Sequence, residues 1–406
     1  MLRRRSLVCA CLLTMLGSAR QSRADEAKWY ERVKVSAFVD VYGSHNFRNP
    51  RPPPYATANR YRAYDQHNGL GVHWVGGDAT IEPDPVGATV SLRFGPSAAI
   101  YTGSPDNELG LTQVKQAFVA YKPGGAAGIV KLIVGKFDTI YGAEVADSQL
   151  NVTYTRSMLN FYAQPFFHTG VRADVQLSER LEARAMVVNG WNNAVDNNAG
   201  KSFGLQLNAH PTEQLLLSLG WIGGPEQADR VRISCAEGTA LDRTTGACNP
   251  SPGASASDVT LSRGAANKRF RHLIDAVVDW TPNDRFRALF NFDWATEEVF
   301  APFTTAAETK VWWGADLTLR AKVHAVAFVG LRGSYVRDRN GYLVGTGRDT
   351  RVTSGTLTLG YTPTPNLVFK LEPRVDRANE EDFLVGTDGA ARTQATITLG
   401  VVATTN

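Results

Sequence analysis

Three short stretches carry residue types at spacings that could do chemistry. Gly200-Lys201-Ser202, closing the Asn- and Gly-rich run NGWNNAVDNNAGKS at 189–202, looks like the end of a phosphate-cradling loop, in which backbone amides and a lysine would hold phosphates. That pattern wants a glycine at 195, where Val195 stands, and a helix afterwards, where an alternating strand-like run follows. Asp196 and its neighbouring asparagines offer a single carboxylate to a calcium ion, which takes several. Gly95-Pro96-Ser97-Ala98-Ala99 is the nearest approach to a nucleophile elbow, but it lacks the final glycine and no helix is expected after it. His168 is the best lone base and is read as a loop anchor. A hydrolase would need a nucleophile and a base on neighbouring strands. The expectation is therefore no catalytic residue, no metal and no cofactor.

What surrounds these stretches decides their meaning. MLRRRSLVCACLLTMLGSARQSRA places three arginines ahead of an apolar run from Leu7 to Leu16, the layout of a secretory signal peptide cut after Ala24. That run is too short to span a bilayer as a helix, which needs about 20 residues, so any membrane residence must come from strands. Five of the 43 basic residues lie in 1–24, which leaves 38 against 39 acidic ones. The mature chain, 25–406, is near neutral, and nucleic acid is not an expected partner. Cys9 and Cys11 leave with the leader. Cys235 and Cys248 remain, and in an exported chain they are read as one disulfide. No CxxC or HExxH accompanies them, and the histidines are scattered.

Segments of about ten residues with one apolar and one polar face recur sixteen times, at approximately 33–44, 70–81, 86–95, 111–122, 128–138, 168–178, 180–191, 201–210, 214–224, 268–281, 285–296, 310–322, 324–337, 351–362, 366–377 and 391–403. Their connections alternate. Tight turns such as EPDP (82–85), LSER (177–180), HPTEQ (210–214), TPNDR (281–285) and TPTPN (362–366) are separated by long connections, among them 45–69, 139–167 and 225–267. Short turns at one rim and long loops at the other, with an even strand count, is the signature of an outer-membrane barrel. The expected fold is all-β: a single transmembrane antiparallel up-and-down β-barrel of about 16 strands, with short periplasmic turns and long extracellular loops.

The alternation also says which face meets lipid. In 285–296, Phe286, Ala288, Phe290 and Phe292 oppose Arg287, Asn291 and Asp293, with Leu289 as an exception. A polar face so charged cannot fill a dry interior. The same register puts Arg93, Arg172, Arg184, Arg271, Arg287, Arg320, Arg332, Lys370 and Arg374 inside against Asp174, Glu182, Asp275, Asp293, Asp316 and Glu372, a slight basic excess that predicts weak anion preference. Trp191, Trp221, Trp294, Trp312 and Trp313 fall near long-loop ends and Tyr121, Trp280 and Tyr361 near short-turn ends, so two aromatic girdles are expected. The connection 139–167 is rich in aromatics for a solvated loop. It is expected to fold into the lumen and narrow it, presenting Glu144, Asp147 and Arg156 to the solute.

The segments QAFVAYKPGG, VGKFDTIYGAE, TRSMLNFYAQPFFHTGVR, VVNGWNNAVDNNAGKSFGLQL and GWIGGPEQ, together with AFVDVYGSHNFRNP near the start, resemble the OmpL-like outer-membrane β-barrel porin family. The resemblance implies one barrel that conducts small hydrophilic solutes, inserted among outer-membrane lipids by the barrel-assembly machinery, and carries no catalytic residues. A homo-oligomer is left open. Outer-membrane strands usually end on an aromatic residue, and here the chain ends ITLGVVATTN, which is expected to affect the efficiency of assembly rather than the fold. A barrel with a plugged lumen, serving as an adhesin or structural protein, is the main alternative.

Overall fold

A computed structural model describes residues 29–52, 57–103, 108–241, 248–262, 268–300 and 307–405; the expected leader lies outside the described residues. Residues Lys34–Asn406 form one compact unit, and Trp29–Arg32 is a 3-10 turn. Sixteen strands close into one antiparallel barrel. In chain order they are β1 Val33–Asn46, β2 Gly69–Ile81, β3 Val86–Phe94, β4 Val114–Tyr121, β5 Val130–Asp138, β6 Phe167–Ser178, β7 Leu181–Val188 and β8 Ser202–Thr212. The second half continues with β9 Leu215–Pro225, β10 Phe270–Asn283, β11 Phe286–Phe300, β12 Ala307–His324, β13 Ala327–Asp338, β14 Thr350–Thr364, β15 Leu367–Ala378 and β16 Thr393–Thr404.

Each strand pairs with its neighbours in sequence, and β16 returns to β1, with Phe38 opposite Thr404 and Asn46 opposite Thr396. Closure leaves no strand edge, the condition for placing backbone amides in hydrocarbon. The alternation works as the sequence implies. On β14, Val352, Ser354, Thr356, Thr358 and Gly360 are buried inward while Thr353, Gly355, Leu359 and Tyr361 are exposed outward. Leu289, the exception on β11, faces inward and is buried.

Outward tryptophans form a row across four strands: Trp221 on β9 stands opposite Ile274, Ile274 opposite Trp294, and Trp294 opposite Trp313. Trp280, six residues further along β10, marks a second level with Phe286, its ring 5.9 Å away. Six residues of strand rise about 20 Å, close to the ~25 Å apolar band of such barrels. Trp191 and Trp312 depart from the girdle expectation: Trp312 has the inward parity of β12 and is fully buried. Strand β7 stops at Val188, and Trp191 turns inside, 7% exposed, with its ring edge-on to Trp312.

Two connections are more structured than their polarity suggests. Pro96–Tyr101 is a short helix, α1, where none was expected after Gly95, and its Ser97 is buried. The connection 226–269 carries two small sheets, Arg230–Cys235 with Ser257–Ser262 and Thr239–Leu241 with Cys248–Pro250. Cys235 and Cys248 are joined, with Cα atoms 5.5 Å apart. A crosslink over this span stabilises by about 3 kcal/mol in the chain-entropy model. That stabilisation is local to the loop, because both cysteines lie outside the barrel ladder. Cys235→Ser with Cys248→Ser should therefore leave the heat-modifiable gel shift of the barrel unchanged while protease cuts within 230–262 appear faster; equal cutting rates would contradict this.

Candidate functional site

Residues 139–166, between β5 and β6, cross the interior, and wall side chains hold them from several directions. On β15 the Lys370 ammonium donates to the carbonyls of Ser148 at 2.7 Å and Asn151 at 2.5 Å, and Arg374 donates to the Arg156 carbonyl at 2.7 Å. Between them, Glu372 accepts from the backbone amides of Tyr154 at 2.6 Å and Thr155 at 3.1 Å. Arg332 on β13 donates to the Thr155 carbonyl at 2.6 Å and pairs with Glu144 at 2.5 Å. Across the barrel, Asp275 on β10 accepts from the Gly142 amide at 3.1 Å, while Asn291 on β11 accepts from the Ala143 amide at 3.1 Å. The Gln164 amide donates to Asp293 at 2.6 Å. From the third side, Asp147 receives Arg93 at 3.2 Å and Lys115 at 3.1 Å, and the Tyr154 hydroxyl donates to Asp40 at 2.6 Å. A loop with only two short helical turns, Ser148–Leu150 and Leu159–Ala163, must satisfy most of its backbone groups elsewhere; this one uses charged residues of the wall.

Its apolar side chains fit places where the wall has none. A Cβ on Gly400 would stand 2.0 Å from the Tyr154 ring, and Cβ atoms on Gly204 and Gly220 would meet Tyr141 at 2.5 and 2.7 Å. Leu159 and Val152 lie in the same way against Gly314 and Gly330. A second segment from the long-loop rim, 57–66, joins the loop. Arg62 pairs with Asp65 at 2.7 Å and Asp376 at 2.8 Å, and the Tyr64 hydroxyl donates to the Tyr154 carbonyl. Tyr64, Trp74, Tyr101 from α1 and Tyr154 then share one aromatic cluster with Phe38 and Tyr42.

The expected site residues divide into two sets. Asp147 and Arg156 are buried in the packing, with Arg156, 1% exposed, donating to the Val145, Tyr154 and Ala146 carbonyls, while Glu144 is half-buried and paired with Arg332. Arg93, Arg332, Lys370 and Arg374, expected to line the pore, are each 2% exposed and hold the loop instead. Asp316 is also buried, opposite Ser334. Arg172, Arg184 and Lys131 gather around Asp174 on the wall, at 2.9, 3.9 and 3.4 Å. Arg271 pairs with Glu297 at 2.7 Å and lies over the rings of Trp191 and Trp312. Arg287 and Arg320 line a cavity nearer the short-turn rim. Sequence reasoning passed over Asp40 and Arg62; Asp40 sits on the polar face of β1, and the tyrosines around Arg62 carry the same signal that marked 139–167. His168 is buried and bridges the Gly190 carbonyl at 2.9 Å and the Thr139 hydroxyl at 3.1 Å, fixing the entry to the loop. Lys201 pairs with Asp196, so AGKS belongs to a turn.

A family model described as "Putative beta-barrel porin-2, OmpL-like" matches residues 32–404, nearly the whole chain. The chain belongs to that family. Among solved structures, OmpT of Vibrio cholerae shares 13% identity with a TM-score of 0.54, covering 92% of this chain and 97% of its own. The outer membrane channel DcaP of Acinetobacter baumannii shares 10% identity at a TM-score of 0.56, with 92% and 96% covered. An anion-selective porin from Comamonas acidovorans shares 11% at 0.54, with 92% and 99% covered. At these identities the likeness is one of fold. No curated protein matches this chain in sequence.

In this OmpL-like porin, two of the loop's own carboxylates, Asp147 and Glu144, contribute ion pairs to the latch. Burial alone would raise both, but the Lys115 ammonium and the Arg93 guanidinium outweigh it at Asp147 and hold that carboxyl at about 2. Arg332 and Arg156 likewise outweigh burial at Glu144 and keep it below the usual range. Unfolded-chain values are about 3.9 for Asp and 4.3 for Glu. A carboxylate depressed on folding stabilises fully above the unfolded value and loses that contribution as pH falls through the folded one. The part of the protease protection of 139–166 that these two carboxylates supply, read as the difference between wild type and Glu144→Gln with Asp147→Asn, should therefore be constant from pH 8 to 5 and be lost only below about pH 3; a difference that already fades between pH 7 and 5 would assign it to other groups. Gly400→Val should displace Tyr154 and expose 145–160 to protease while the barrel keeps its gel shift, and an unchanged cleavage pattern would mean that the socket is not needed.

Proposed function

We propose that this outer-membrane porin passes small hydrophilic solutes by passive diffusion around the latched loop, with no catalytic step and a weak preference for anions. The carrying observation is that 139–166 is tied to β1, β3, β4, β10, β11, β13 and β15 at once, so the free cross-section is set by the loop rather than by the barrel wall. Solutes in such a channel are filtered by width and by lining charge. Most interior cations are cancelled by loop contacts or by acids, which argues for a small anion preference rather than a large one. The fold shared with the Comamonas acidovorans anion-selective porin is compatible with it. The outward apolar band between the two aromatic levels suits outer-membrane lipid. Assembly into a homo-oligomer belongs to the same proposal, since one structure sharing the fold is the trimer form of Vibrio cholerae OmpT.

A plugged barrel is the second reading, favoured by the number of strands the loop reaches. Planar-bilayer recording separates the two. The protein should show steady single-channel conductance, and deleting 145–160 should raise that conductance and loosen the size cut-off by removing the constriction. Wild-type protein that inserts without conducting would support the plug, and a folded deletion variant with unchanged conductance would remove the loop from the role of constriction. A reversal potential showing clear cation preference would overturn the selectivity proposal.

A further inference from the structure

Below the latched loop, towards the short-turn rim, lies a cavity of about 410 Å³ whose ceiling is loop residues Gln149–Val152. Three cations line it, Arg287, Arg320 and Lys370, and no carboxylate does. We propose that this cavity is a binding site for a small oxyanion, a phosphate or a carboxylate, clasped chiefly by Arg320 with Arg287 beside it. The proposal deepens the porin reading, on which it rests only for how the anion arrives.

The register carries the argument. Arg287 on β11 and Arg320 on β12 are direct cross-strand partners, and both line the same cavity. Like charges directly opposite each other in a ladder destabilise it, so the pair calls for counter-charge. Asp279 supplies it to Arg287, with contacts of 2.9 and 2.6 Å. Among the described residues, Arg320 has no carboxylate partner; its guanidinium lies over the Phe328 ring at 4.9 Å. A ring contact occupies the face of the guanidinium and leaves its edge, the fork of N–H donors that matches carboxylate and phosphate oxygens. Lys370 spends its donors on loop carbonyls and adds charge without competing for the ligand. The apolar part of the lining, Phe328, Val368 and Val402 with Leu150 and Val152 from the loop, lowers the local dielectric and strengthens any ion contact made there. The volume falls in the usual range for small-molecule sites.

The test is calorimetric titration of the purified full-length protein in detergent at constant ionic strength, with sodium phosphate in one arm and sodium succinate in the other. Saturable binding in at least one arm is expected, and the arm that responds tells phosphate from carboxylate. Arg320→Gln should weaken that binding about tenfold or more, Arg320→Lys should restore part of it, and Arg351→Gln, which removes the same charge from the opposite rim, should leave it unchanged. No saturable heat in either arm, or equal affinity in Arg320→Gln and wild type with both showing the barrel's gel shift, overturns the site. Channel recording on the same preparation keeps the two readings apart: current without binding overturns the site alone, and binding without current overturns the porin reading while the site stands.

Discussion

Closure of β1 onto β16 is the contact on which the rest of the molecule depends. Nine consecutive register partners join the two ends of the described chain, from Phe38 with Thr404 to Asn46 with Thr396. Without them two strand edges would meet hydrocarbon, where each unsatisfied backbone group costs several kcal/mol. Closure in turn sorts every strand residue by parity. The lipid face collects Val, Leu, Phe and Trp, while the inner face collects the charges that no bilayer accepts.

An inner face so charged needs counter-charge or water, and this porin supplies much of it from its own loops. Lys370, Arg374 and Arg332 supply cations and Glu372, Asp275 and Asp293 carboxylates, and 139–166 presents carbonyls to the first set and amide donors to the second. Breaking one member of a buried ion pair typically costs about 3–5 kcal/mol, because the partner is left buried and charged. Many such contacts sharing one loop hold a single conformation without contributing to the strength of the barrel ladder. The glycine sockets add shape to charge: Tyr154 against Gly400 fixes the depth of the loop, and Tyr141 against Gly204 and Gly220 fixes where it enters.

Functional asymmetry follows from where the loop stops. On the long-loop side the space is filled by the Tyr64, Tyr101 and Tyr154 cluster and by Arg62 with its aspartates. Towards the short turns, a basic cavity is left under Gln149–Val152. Solute passing between the rims would thus meet a packed, charge-balanced region and an unbalanced one in series. On the proposed reading, selectivity in such an arrangement would follow the few uncancelled charges, Arg320 foremost, rather than the inventory of inward residues.

Strand number, pairing order, loop rims and the facing of each strand were legible in the sequence, because a two-residue period and alternating loop lengths are local properties that a barrel must repeat sixteen times. The inward turn of 139–166 was legible too, since six aromatics in one connection need a surface to pack against. What Glu144, Asp147, Arg93 and Lys370 do there was not. Parity places a side chain on the inner face but says nothing about what occupies that face, and residues 54 to 222 positions apart in the chain, Arg93 with Asp147 and Lys370 with Ser148, meet only once the loop has folded back across the closed wall. Trp191 shows the same limit, its place beside a strand end suggesting a lipid girdle and its actual partner, Trp312, lying five strands further along the barrel. Periodicity along a strand is a short-range constraint and determines the barrel; the identity of a buried charge's partner is a long-range one, and tertiary structure alone decides it.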